Sequence, residues 1–108
     1  MTVTTVMKPL IYGYMRVGWS VGDQVVADLD LRLQDHAERL GFTFAAVFHE
    51  SDLDAMDAWF ELKMELRRAD CRHVIVPSMN HVSSDLFLRR LRLGCLLEET
   101  GAEVLDLE

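Results

Sequence analysis

Short apolar segments alternate with helical segments along this sequence, and this alternation constrains the fold more than any other feature. Four apolar segments have the length of β-strands: residues 10–17, 43–48, 74–76 and 102–105. They lack the polar–apolar alternation of a strand with one face in water, so both faces of each strand are predicted to be buried. Parallel sheets with helices on both faces contain such strands. The sequence therefore predicts a three-layer α/β domain with a mainly parallel sheet and the order βαβαβαβ.

Three helices are predicted between these strands. The first begins at Gly22 and Asp23 and extends to about Leu40, because apolar residues recur there at spacings of three and four. Gly41 follows as its C-cap. The second helix is predicted from a cap at Asp54 to about Ala69, and the third from Ser83 or Ser84 to the residue before Gly101.

The composition predicts one folded domain over residues 1–108. Half of the residues are hydrophobic and 27% are charged, which is typical of a globular protein rather than a disordered one. No stretch reaches the ~18 apolar residues of a membrane span, and the N-terminus lacks the pattern of a signal peptide. Two cysteines, Cys71 and Cys95, are too few for a disulfide framework. We therefore expect a cytoplasmic protein that does not bind a membrane.

The net charge argues against tight binding to DNA. Eighteen acidic and eleven basic residues give a charge of −7, whereas binding through phosphate contacts normally requires a basic surface. Six arginines between residues 67 and 92 form a local exception. Arginines in such a pattern usually solvate an exposed helix face. We therefore expect DNA binding to be weak at most.

The end of the first predicted strand carries a motif that resembles a known family. Tyr14, Arg16 and Val17 match the Tyr-x-Arg-Val-Ser motif that opens the catalytic domain of the serine recombinases, the resolvases and invertases. In that family the serine is the nucleophile, but this sequence has Gly18 at the serine position. The resemblance therefore implies a resolvase-like fold with the strand order 2-1-3-4, without the hydroxyl on which the family's chemistry depends.

A second part of the family's active site falls between the third strand and the third helix. Serine recombinases carry Leu-Asp-Arg-Leu-x-Arg there; this sequence has Asn80 at the aspartate, His81 at the first arginine and Ser84 at the second. A further arginine of the family aligns near Met56, so only Arg16 is clearly kept. Neither histidine nor serine reproduces the bidentate grip of arginine on a phosphate. The resemblance therefore implies a degenerate member that does not recombine DNA, and we expect no metal or cofactor.

Two enzymatic alternatives remain open from the sequence. The first is a recombinase with a rearranged site, in which Ser20 replaces the lost nucleophile. The second is a small enzyme with a metal or acid–base site at the strand ends, formed by His49, His73, His81, Glu50 and Asp52.

The third predicted helix has apolar residues around most of its circumference, although one stripe of about 100° is enough to cover a sheet. One face carries Leu86, Leu93 and Leu97, and another carries Phe87 or Leu88, Leu91 and Cys95. The additional apolar face is expected to meet a neighbouring helix or a partner chain. We take Leu86, Leu93 and Leu97 as the candidate interface, and we expect a homodimer or a complex with another protein, in a regulatory role.

Overall fold

The computed structural model describes residues 8–18, 21–52 and 55–107. The strands are β1 (Leu10–Arg16), β2 (Thr43–Glu50), β3 (His73–Val76) and β4 (Glu103–Asp106). The helices are α1 (Asp23–Arg39), α2 (Asp57–Arg68) and α3 (Leu86–Thr100), and a 3₁₀ turn, Met79–His81, lies between β3 and α3. This order confirms the predicted βαβαβαβ pattern.

The four strands form one parallel sheet in the order β2-β1-β3-β4. This confirms the parallel sheet that the apolar runs predict and the order that the resemblance implies. Strand β1 is central, with β2 and β3 on either side. Its carboxyl end therefore delivers Arg16 to the middle of the sheet edge at which α/β proteins bind their ligands.

Helices cover both faces of the sheet. Successive residues of β1 point to opposite faces, so Tyr12 and Tyr14 pack with α2 and α3, whereas Ile11 and Met15 pack with α1. The helices bury apolar residues at the predicted spacing: Leu33 and Ala37 in α1, and Trp59, Leu62 and Leu66 in α2. The predicted three-layer arrangement is confirmed. Within the described ranges, no helix has the length and hydropathy to cross a membrane.

Gly13, in the middle of β1, allows side chains of β2 to pack directly over the central strand. A Cβ atom at this position would lie 3.0 Å from Cζ of Phe44 and 3.2 Å from Cγ2 of Val47. Both distances are shorter than ordinary van der Waals contacts between side chains. A glycine inside a strand often marks such a close approach.

Helix α1 has the predicted ends, but α3 begins later than the sequence indicates. Gly22 is the N-cap of α1, and Gly41, with a φ of +93°, follows its last turn. The N-cap of α3 is Asp85 rather than Ser83 or Ser84, since Asp85 Oδ1 accepts the Leu88 N–H at 2.9 Å. The Ser83 hydroxyl instead accepts the N–H of Asp85 at 3.1 Å.

Helix α2 also has a different start. Its N-cap position is Met56, which provides no capping side chain. The predicted cap, Asp54, lies outside the described residues. The first N–H groups of α2 are instead bound by a carboxylate from the end of β2, which belongs to the candidate site.

Candidate functional site

Four of the predicted site residues meet at the carboxyl edge of the sheet. Arg16, Asn80, His81 and Ser84 line one cavity of about 570 Å³. Arg16 ends the central strand, and Asn80 and His81 belong to the 3₁₀ turn after β3. Gly18 follows two residues beyond the end of β1. The resemblance therefore points to residues that the fold brings together.

The guanidinium group of Arg16 is engaged by contacts within the protein. Nη2 donates to the Tyr14 hydroxyl oxygen at 2.9 Å and to the Met56 sulfur at 3.1 Å. Nη1 donates to the Ala55 carbonyl oxygen, and Nε to the His81 carbonyl oxygen at 3.4 Å. These bonds use four of the five N–H groups of the side chain. Arg16 thus ties β1 to the loop before α2 and to the 3₁₀ turn, with little capacity left to grip a phosphate.

His81 is held as a neutral ring that accepts a hydrogen bond. Its Nδ1 atom accepts the backbone N–H of Arg16 at 3.0 Å. Burial, and after it the positive charge of Arg16, lower the pKa of the His81 imidazole. A neutral ring at the family's first arginine position cannot supply positive charge to a phosphodiester transition state.

Two arginines of α3 point toward this edge, and the sequence analysis missed their role. Arg92 lines the cavity and donates from Nη1 to the Val82 carbonyl oxygen at 2.7 Å. Arg89 donates from Nε to the Ser83 carbonyl oxygen at 3.0 Å and from Nη2 to Oδ1 of Asn80 at 2.6 Å. Their spacing of three residues places them on one side of the helix, which is the signal that could have grouped them. Both arginines hold the loop between β3 and α3.

The buried carboxylate of Glu50, at the end of β2, caps helix α2. Glu50 is 3% exposed. Its Oε2 accepts the N–H of Ala58 at 3.1 Å, and its Oε1 accepts the N–H of Trp59 at 3.0 Å. These are the second and third residues of α2, where an anion also meets the positive end of the helix dipole.

Glu50 also joins the network of Arg16 through a tyrosine. Oε1 of Glu50 accepts the Tyr14 hydroxyl at 3.1 Å, and the same hydroxyl oxygen accepts an N–H of Arg16. Burial raises the pKa of Tyr14, so its hydroxyl remains protonated and able to donate. The polar groups at this edge therefore bind one another and connect β1, β2, α2 and the 3₁₀ turn.

The alternative histidine site does not form. His73 is the first residue of β3 and so lies at the amino edge of the parallel sheet, where its ring is 4.7 Å from that of Phe42. His49 instead bonds through Nε2 to Oδ1 of Asp30 at 2.9 Å. The described part of the chain contains no group of histidine, cysteine and acidic residues that could hold a metal ion. The predicted convergence is wrong because His73 begins its strand instead of ending it. Ser20 lies outside the described residues.

Helix α3 turns a different stripe to the core from the one that the sequence analysis assumed. Leu96 is fully buried, and Leu93 is partly buried against the same core cluster. Leu93 thus contributes to the core of its own chain and has only part of its surface left for a partner. Leu86 and Leu97 remain accessible, with 67% and 50% of their surface exposed.

The second apolar face of α3 is accessible along its length. Phe87 is 70% exposed, Leu88 42% and Leu91 48%, and Cys95 is also exposed. We call these four residues the open face of α3. A helix in a small globular protein normally turns one apolar stripe inward and leaves polar residues outside, so this face requires a separate explanation.

Comparisons with known proteins connect the chain to solved structures. No protein-family model matches it, and no curated protein does. The N-terminal catalytic domain of TP901-1 integrase matches with a TM-score of 0.73 at 14% sequence identity, over 91% of this chain and 76% of that one. The C-terminal catalytic domain of ISC1926 TnpA, an IS607-like serine recombinase, matches with a TM-score of 0.77 at 13% identity, over 92% and 70%.

This chain has the fold of the serine recombinase catalytic domains. The likeness confirms, at the level of fold, the resemblance that the Tyr14-x-Arg16-Val17 motif suggests. Identities of 13% and 14% carry no information about chemistry, which depends on the residues at the site. In this resolvase-like domain, those residues are Gly18, an arginine bound mainly within its own chain and a neutral histidine.

Proposed function

We propose that this chain is a resolvase-like domain without recombinase chemistry, and that it acts in protein–protein association or regulation as a homodimer. The open face of α3 is the observation that carries the proposal. Phe87, Leu88 and Leu91 leave contiguous apolar surface in water, along a helix that already packs its own core stripe through Leu93 and Leu96. Exposed apolar patches of this kind mark sites of association.

The residues at the sheet edge support the loss of chemistry. Strand transfer requires a hydroxyl nucleophile and several guanidinium groups around the phosphodiester, whereas Gly18 has no hydroxyl and His81 is held neutral. Met56, at the position of a further arginine of the family, contributes only a thioether to Arg16. Removing a nucleophile or an electrostatic stabiliser costs ~10² to 10⁶ in rate. The combined losses leave no route to strand transfer.

The size of the open face fits a reversible dimer. Covering it would remove roughly several hundred Å² of apolar surface per chain from water, a gross gain on the order of 10 kcal/mol at ~25 cal/mol per Å². Association and ordering cost at least about 4 kcal/mol and offset much of this gain. The remainder supports a dimer that forms at micromolar concentration rather than an obligate one.

We expect Leu91→Glu to produce a folded monomer. Leu91 is 48% exposed, so the isolated chain tolerates a charge there, whereas a dry interface does not. Sedimentation velocity over the micromolar range measures the oligomeric state, and circular dichroism checks that the variant is folded. Leu96→Glu is the matched control on the buried side of the same helix and should unfold the domain. Wild-type protein that stays monomeric throughout this range would contradict the proposal.

Gly18→Ser should not restore recombinase chemistry. The variant regains a hydroxyl at the family's position, but the phosphate would still lack its guanidinium partners. Supercoiled plasmid incubated with wild-type or variant protein should remain unnicked, and no protein–DNA adduct should appear on a denaturing gel. Nicking by the wild type would favour the alternative, a recombinase with a rearranged site. An adduct formed only by Gly18→Ser would show that the remaining residues still stabilise the reaction.

A further inference from the structure

A glycine borders the open face of α3, and no contact among the described residues accounts for it. Gly94 lies in the interior of the helix, where glycine is a poor helix former compared with alanine. A Cβ atom at this position would meet nothing within 4 Å. The space in front of Gly94 is therefore available to a group from outside the chain.

We infer that the open face of α3 pairs with the same face of a second copy, with the two helices antiparallel and the twofold axis close to Leu91. The inference rests on the proposed function, since it specifies how the proposed homodimer forms. A twofold dimer uses the same surface on both chains, so that surface must be complementary to itself.

The residue sizes along the open face meet this requirement. At 100° and 1.5 Å per residue, Phe87 and Gly94 lie on one flank of Leu91, about 6 Å before it and about 4.5 Å after it. Leu88 and Cys95 lie on the other flank, about 4.5 Å before Leu91 and about 6 Å after it. In an antiparallel pair, Phe87 therefore meets Gly94 of the second copy, and Leu88 meets Cys95. On each flank a large side chain faces a small one, which allows the helices to pack closely.

The same residue sizes select the antiparallel orientation. In a parallel pair with the twofold axis along the helices, Phe87 would meet Leu88 of the second copy, and Gly94 would meet Cys95. Large side chains would then face large ones and small side chains small ones, which packs poorly. The residue sizes thus select both the orientation and the register.

Cross-linking tests the register. In a Leu91→Cys variant made in a Cys95→Ser background, the two new thiols lie opposite each other across the twofold axis. We expect a short bis-maleimide to convert this variant largely to covalent dimer on a denaturing gel. The control is Leu97→Cys in the same background. Its thiol lies on the other side of the helix, so this variant should run as an uncross-linked monomer on the same gel. Cys71 is 4% exposed and should not react.

The outcomes separate this inference from the proposed function. Suppose the wild-type protein sediments as a dimer, but Leu97→Cys is cross-linked and Leu91→Cys is not. This result would overturn the pairing of the open faces and leave the proposed homodimer intact. A wild-type protein that is monomeric throughout the micromolar range would overturn both.

A substitution at Gly94 separates folding from pairing. At Gly94 an added Cβ atom meets nothing within 4 Å in its own chain, and leucine is the better helix former, so the melting temperature of dilute Gly94→Leu protein should hold or rise. The same side chain occupies the space that receives Phe87 of the second copy. We therefore expect the dimer dissociation constant to increase about tenfold or more. An unchanged dissociation constant in a stably folded variant would overturn the inference.

Discussion

Replacing Glu50 with alanine should destabilise the fold by about 3 to 5 kcal/mol, a large part of the stability of a small domain. The carboxylate is 3% exposed and accepts the N–H groups of Ala58 and Trp59 and the hydroxyl of Tyr14. Alanine would leave three donors without their acceptor in the interior, at about 1 to 3 kcal/mol each where no water replaces it. The N-cap position of α2 has no side-chain hydrogen bond of its own, so nothing local compensates.

Urea unfolding followed by circular dichroism measures this effect. Glu61→Ala, an exposed position on the same helix, is the matched control and should change the free energy of unfolding by no more than about 0.5 kcal/mol. The loss in Glu50→Gln should lie between those of Glu50→Ala and Glu61→Ala. Its amide keeps one acceptor oxygen but turns an NH₂ donor toward a backbone N–H. A loss of less than about 1 kcal/mol in Glu50→Ala would contradict the capping role.

The fold could be predicted because its signals are local. Each strand is a continuous apolar run, and each of the first two helices carries one apolar stripe at helical spacing. Periodicity does not indicate which strands are neighbours, however. The order β2-β1-β3-β4 could be predicted only through the family resemblance, which rests on the short motif around Arg16.

The candidate site was harder to predict because its residues act through contacts between elements. Sequence reasoning offers Glu50 as a metal ligand, but its role depends on where the N-terminus of α2 meets the end of β2. The role of Glu50 therefore could not be predicted without the three-dimensional position of a neighbouring element. The expectation for His73 had a different fault: His73 precedes the predicted strand at residues 74–76, and the start of a parallel strand lies at the amino edge of the sheet.

The orientation of α3 shows a different limit. Apolar residues surround this helix, so periodicity alone cannot select the stripe that faces the core. The rotation of the helix depends on the contacts that each side makes with the rest of the chain. Leu96 and Leu93 pack against the core cluster, and Arg89 and Arg92 donate hydrogen bonds to carbonyl groups of the preceding loop. With α3 held in this rotation, its open face points to solvent.

The role of Arg16 distinguishes a structural arginine from a catalytic one. In a working recombinase, an arginine at this position serves the reacting phosphate, and its loss is expected to reduce rate. In this chain the side chain binds the Ala55 and His81 carbonyl oxygens and the Tyr14 hydroxyl, so its loss should reduce stability instead. The two roles therefore predict different measurements.

Replacing Arg16 with methionine should lower the free energy of unfolding by about 2 to 4 kcal/mol, because several charge-assisted hydrogen bonds between elements are lost together. Arg16→Lys should recover only part of this loss, since an ammonium group cannot reach the same acceptors with the fixed geometry of a guanidinium fork. Arg39→Met is the matched control: Arg39 is 77% exposed and forms an ion pair with Asp35 one turn away on α1, so its removal should cost no more than about 0.5 kcal/mol. Urea denaturation of the three variants at neutral pH provides the comparison. An Arg16→Met variant as stable as the wild type would show that the network around Tyr14 and His81 holds without the guanidinium, and it would contradict the structural role of Arg16.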